Sequence, residues 1–123
     1  MGVSNMSASL YDNRILIVDD MTINRELISS YLKSEGYRNI HTAVDGRDAL
    51  EKIDEHEPDL LILDLVMPNV SGIEVIKTLR SHHKTRNLPI LVQTMITDPE
   101  ERKEAWGYGA TDVIIKPIHK LEL

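Results

Sequence analysis

The sequence predicts an α/β domain built on a parallel, doubly wound sheet, and three observations predict it. Short β-type runs alternate along the chain with stretches of helical periodicity. Three of those runs are apolar almost without interruption, as strands are when helices cover both faces. A repeating β-α order also needs crossovers, and right-handed crossovers place helices on both sides of the sheet.

The elements follow in order. Residues 1–13, MGVSNMSASLYDN, lack the basic segment and apolar stretch of a signal peptide and read as a flexible lead-in to a domain of residues 14–123. RILIV (14–18) is the first strand. Ile23, Leu27, Ile28, Tyr31 and Leu32 share a face in the first helix, which Gly36 ends. NIHTA (39–43) is the second strand, and Ala49, Leu50 and Ile53 mark the second helix. LLILD (60–64) is the third strand. SGIE then writes a capping box, Ser71 with Glu74, ahead of a helix marked by Ile73, Ile76 and Leu79. PILVQT (89–94) is the fourth strand. DPEE offers Asp98 as cap, Pro99 at the first turn and Glu101 reaching back. The helix that follows has only Ala105 and Trp106 as an apolar stripe, so it is expected to be the least firmly packed and the easiest to move. DVIIK (112–116) is the fifth strand. A last apolar pattern, Ile118, Leu121 and Leu123, stops after about two turns, too short to stand alone. That points to a final helix continued in a longer natural protein or completed by another chain.

Composition excludes several functions. A chain of 123 residues argues for one domain, and no apolar run approaches the roughly 20 residues that span a bilayer. The absence of cysteine removes disulfides and thiolate metal sites and suits a cytoplasmic setting. A net charge of −6 argues against direct nucleic-acid binding, which needs clustered Lys and Arg. The basic stretch RSHHKTR (80–86) has no aromatic residue to stack on bases and reads as a solvated helix end. The histidines offer no metal site: His82 and His83 diverge by about 100° on a helix, and His41, His56 and His119 have no evident ligand partners.

Chemistry is concentrated at the carboxyl ends of the strands, where open parallel sheets bind ligands. Those ends carry Asp19 and Asp20, Asp64, Thr94 and Lys116. Clustered carboxylates repel, and a hard divalent cation such as Mg²⁺ relieves this with oxygen ligands. A carboxylate can act as a nucleophile toward phosphorus. The phosphoryl oxygens then need the metal, an ammonium and hydrogen-bond donors, which Lys116 and Thr94 provide. Gly72 most simply permits a close backbone approach, and Met67-Pro68 is loop geometry and packing.

The set LIVDD, LLILDLVMPNVSG, PILVQT and GATDVIIKP resembles the receiver domain of two-component response regulators, from about Arg14 to Pro117. Thr94 lies 30 and Lys116 52 residues past Asp64, as in that family's pattern. The resemblance implies a flavodoxin-like sheet of five strands in the order 2-1-3-4-5, with the last helix truncated. It implies that Asp64 accepts a phosphoryl group from a histidine kinase or phosphotransfer protein, as a switch in a phosphorelay. It further implies Mg²⁺ (or Mn²⁺ in its place) held by Asp20, by Asp19 chiefly through a water, by Asp64 and by the backbone carbonyl of Val66. Thr94 would swing toward the phosphoryl group and Lys116 would pair with it, aimed by a cis bond before Pro117. Family members often join such a segment to a C-terminal output domain, which is expected to follow these residues, and some pair with a second copy. The chain departs from the pattern at Val113, where the family carries Tyr or Phe, and at Met95, where it carries a small residue.

Two other functions compete. A haloacid-dehalogenase-type phosphohydrolase also uses an Asp nucleophile, but it needs a second Asp two residues on, where this chain has Val66. A receiver-like module that is never phosphorylated usually lacks an acidic residue or the lysine, and this chain lacks none.

Overall fold

The computed structural model describes residues 11–94 and 99–115. Five parallel strands, β1 (Arg14–Val18), β2 (Asn39–Ala43), β3 (Leu60–Asp64), β4 (Ile90–Thr94) and β5 (Asp112–Ile115), form one sheet in the order β2-β1-β3-β4-β5. Helices α1 (Thr22–Ser34), α2 (Gly46–His56), α3 (Gly72–Ser81) and α4 (Pro99–Tyr108) follow β1 to β4 in turn. The predicted architecture and strand order are those observed. β4 begins one residue later than the apolar run suggests, at Ile90. Pro89 has no N–H for a ladder, but its carbonyl still accepts from the Leu61 N–H at 3.0 Å.

Side-chain alternation divides the interior into two layers. Leu16, Val18, Leu61, Leu63 and Val92 point to one face, beneath α2, α3 and Ala105 of α4. Ile15, Ile17 and Ile62 point to the other, beneath Ile28 and Leu32 of α1. The first helix corrects the sequence reading. Ile23 and Leu27, expected on its buried face, are 68% and 57% exposed. Consecutive helical residues diverge by about 100°, and the narrow face that α1 turns to the sheet takes Ile28 and leaves Leu27 outside it. α4 is thinner still than expected, because Ala105 is fully buried while Trp106 is about half exposed.

The helix ends are chemically explicit. Asp45 caps α2, accepting from the Asp48 N–H at 2.8 Å. Ser71 caps α3 through the Glu74 N–H at 3.3 Å, but the Glu74 carboxylate lies 3.7 Å from Lys77 instead of closing the box. Asp98, the expected cap of α4, lies outside the described residues. α4 ends at Gly109, whose φ of +115° is left-handed.

Arg80 corrects the reading of RSHHKTR as a solvated end. Its guanidinium donates twice to the Gly109 carbonyl, at 3.0 and 2.8 Å, and to the Thr85 and Arg86 carbonyls at 3.1 and 3.0 Å. It therefore ties the last turn of α3 to the turn that follows and to the end of α4. Burial lowers its pKa from the ordinary arginine value. Tyr11 and Asp12 also contact the body of the domain: the Arg38 N–H donates to the Tyr11 carbonyl at 3.1 Å, and the Arg38 side chain meets Asp12 at 2.8 Å. No helix among the described residues is long and apolar enough to cross a membrane.

Candidate functional site

The parallel register brings the acidic residues together. Val18 pairs with Leu63 and Asp64 with Gln93, so Asp19, one residue past Val18, comes level with Asp64 at the carboxyl end of the sheet. Carboxylate oxygens of Asp19, Asp20 and Asp64 all lie within 4.8 Å of one another. Asp19 is fully buried, Asp64 is 5% exposed and Asp20 is exposed. No other set of three His, Cys, Asp or Glu among the described residues approaches closely enough to share an ion.

Backbone and side-chain donors hold these carboxylates. Asp19 Oδ1 accepts from the Met21 N–H at 2.9 Å, and its Oδ2 accepts from Gln93 Nε2 at 2.7 Å. Asp64 Oδ1 accepts from the Val66 N–H at 3.3 Å. The guanidinium of Arg25 donates to the Asp19 carbonyl at 2.7 Å and to Thr22 Oγ1 at 3.0 Å, bracing the turn from β1 into α1. Asp19 and Asp20 do not cap α1, whose N-cap position is Met21 with no side-chain cap. Their carboxylates serve the rim instead.

Two glycines set the loop after β3. A Cβ on Gly72 would lie 2.4 Å from the Asp64 carbonyl oxygen, and one on Gly46 would lie 2.1 Å from that of Val70. The close approach read from the sequence at Gly72 is therefore present. Asn69, in the left-handed region at φ 66°, donates to Asp45 at 3.1 Å. That bond ties the loop to the start of α2. The Asp48 backbone N–H, and after it the Asn69 amide, hold the pKa of Asp45 below its usual value.

The donor set consists of oxygens, which suits a hard cation such as Mg²⁺ and not a thiophilic metal. Burying a carboxylate costs several kcal/mol unless it is paired or bound. Leu61, Ile62 and Leu63, all fully buried, each return about 1.5–3 kcal/mol, enough to carry the charge to the strand end. The residues present fit a divalent cation.

Of the site residues expected from sequence, Asp19, Asp20 and Asp64 converge as described. Val66 follows Asp64 in the same loop, with its side chain 62% exposed. Thr94 ends β4 fully buried, paired in register with Ile115. Val113, partly buried, packs against the α2–α3 layer. Met95, Lys116 and Pro117 lie outside the described residues. Sequence reasoning missed Arg25 and Gln93. Arg25 left no signal. Gln93 did, as one bulky amide directly after three apolar strand residues. The histidines gave a different surprise: His41 and His56 stack, ring centroids 3.9 Å apart. His82 and His83 line a groove of about 1000 Å³ at the opposite, amino-terminal end of the sheet.

Comparison with known proteins agrees with this geometry. The sequence pattern of the response regulator receiver domain matches residues 15–123. The chain is 39% identical over 111 residues to the regulatory protein AtoC of Escherichia coli, covering 90% of this chain and 23% of that protein. It is 36% identical to the response regulator ArlR of Staphylococcus aureus, covering 89% of this chain and 48% of the relative. Among solved structures, the chemotaxis response regulator CheY4 of Vibrio cholerae superposes with a TM-score of 0.83 at 35% identity, covering 89% of this chain and 91% of that one. The chain thus spans about a quarter to a half of the curated relatives it matches.

Proposed function

Because the chain belongs to the response regulator receiver domain family, we propose that it is a phosphorylation-operated switch whose acceptor is Asp64. The observation that carries this reading is the meeting of three carboxylates within 4.8 Å at the end of a buried strand. The donor is a phosphohistidine on a histidine kinase or phosphotransfer protein. An Asp64 oxygen attacks phosphorus as the P–N bond breaks, and the departing imidazole nitrogen takes up a proton from water. The Val66 N–H, 3.3 Å from Asp64 Oδ1, orients the carboxylate for that attack. Asp19, Asp20, Asp64 and the Val66 carbonyl would hold Mg²⁺, or Mn²⁺ in its place. When bound, that cation offsets the negative charge on the transferring oxygens. Thr94 hydrogen-bonds the new phosphoryl group and Lys116 pairs with it.

Such a modification acts by favouring one of two conformations through its differential contacts. The output is a change in partner affinity around α4, read by a C-terminal output domain, by a second copy of the chain, or by another protein. The domain itself is regulatory, and its chemistry is confined to gaining and losing its own phosphoryl group in the cytoplasm.

The test is intact mass after incubation with a small phosphodonor, with and without Mg²⁺, for wild type and Asp64→Ala. Gain of one phosphoryl group by wild type alone, and only with metal, is the expected result. No gain with any donor would leave an unphosphorylated interaction module, and repeated turnover of a phosphomonoester would indicate a phosphatase.

A further inference from the structure

Gln93 sits in β4 between Val92 and Thr94 and is fully buried. Its Nε2 donates to Asp19 Oδ2 at 2.7 Å across 74 residues of sequence. Its other polar atom, Oε1, is buried with no hydrogen-bond partner among the described residues. A buried acceptor left unmatched costs stability; a methionine or leucine of similar size would remove that cost but would also take the amide donor from the fully buried Asp19 Oδ2. In the metal-free fold the unmatched oxygen and the bond to Asp19 thus oppose each other, at similar magnitude.

What the amide supplies is a fixed donor. Asp19 Oδ1 is already set by the Met21 N–H, and Gln93 sets Oδ2, so the two bonds together define the plane of the carboxylate. Gln93 is also level in register with Asp64, which places this donor on the strand beside the phosphoacceptor. Residues that orient metal-binding side chains from behind govern affinity strongly, typically by about 10–100-fold.

Resting on the metal-site reading above, we infer that Gln93 is a positioning residue: it holds the Asp19 carboxylate in the orientation that binds the divalent cation. Gln93 touches neither phosphoryl group nor donor, and acts through Asp19.

The test uses wild type, Gln93→Met and Gln93→Leu, each titrated calorimetrically with MgCl₂ after metal removal, with melting temperatures measured separately in EDTA. The expected result is a Mg²⁺ dissociation constant raised by about tenfold or more in both variants. Their melting temperatures in EDTA should stay within about 5 °C of wild type, because the lost donor and the removed unmatched acceptor offset each other. Binding within about twofold of wild type in both variants would overturn the inference. So would affinity falling together with a drop in melting temperature of more than about 5 °C in both, which would mark Gln93 as a structural residue only. Absence of Mg²⁺ binding by wild type itself is a distinct outcome; it would overturn the metal site and this inference with it.

Discussion

Replacing Gly72 with alanine should destabilise the domain, although alanine is the better helix former. The new Cβ would stand 2.4 Å from the Asp64 carbonyl oxygen and 2.6 Å from the Leu65 Cα, both main-chain atoms that cannot rotate aside. Comfortable carbon contacts begin near ~3.5 Å, so the first turn of α3 must retreat by about 1 Å. Helix propensity returns at most about 1 kcal/mol. Against it stand overpacking, about 1–3 kcal/mol, and strain on the Gly72 N–H bond to the Leu65 carbonyl, 2.9 Å long and worth about 1 kcal/mol. The net expectation is a loss of about 1–3 kcal/mol. Gly107→Ala is the matched control. It is exposed on α4 with nothing among the described residues within 4 Å of an added Cβ, and should gain about 0.5–1 kcal/mol. Urea unfolding with a shared slope measures both. A Gly72→Ala midpoint at or above wild type, or a Gly107→Ala midpoint below it, would refute the reasoning.

Two further predictions concern residues away from the rim. Arg80→Ala strips the Gly109, Thr85 and Arg86 carbonyls of their shared donor and should cost about 2–4 kcal/mol in urea unfolding, with Arg80→Lys recovering less than half; a loss under about 0.5 kcal/mol in Arg80→Ala would show that the bonds contribute nothing net. Burial first, then the stacked His56 ring and Lys52, with Glu55 opposing, hold the pKa of His41 below 6.5. The unfolded chain therefore binds a proton at His41 more readily than the folded one, and stability is lost as pH falls through 6.5 toward the lower folded value. His41→Leu should flatten the fall in urea midpoint between about pH 7.5 and 5, and an unaltered fall would contradict it.

The sheet was legible because strands covered on both faces leave unbroken apolar runs, and LLILD leaves no other reading. The acidic rim was legible for a related reason: a carboxylate that ends such a run must have company. The outer face of α1 was misread because periodicity ranks residues by helical angle but not by the width of the surface they meet. Only Ile28 and Leu32 reach full burial there, and Ile23 and Leu27 stand in solvent. Arg80 and Gln93 escaped for another reason. Their partners lie 29 and 74 residues away, and a hydrogen bond to a distant carbonyl or carboxylate leaves no period in the sequence. The His41–His56 stack likewise joins a strand to the end of a helix and needs the fold before it can be seen.

The clamp at Arg80 restricts how the fourth helix can travel. Its carboxyl end, through the Gly109 carbonyl, is bonded to a side chain rooted in α3, and α3 begins hard against the main chain of Asp64. Any excursion of the fourth helix that leaves its neighbour in place must swing about that anchored end, as a door does on its hinge post. The wider sweep then belongs to the opposite end, which Pro99 opens.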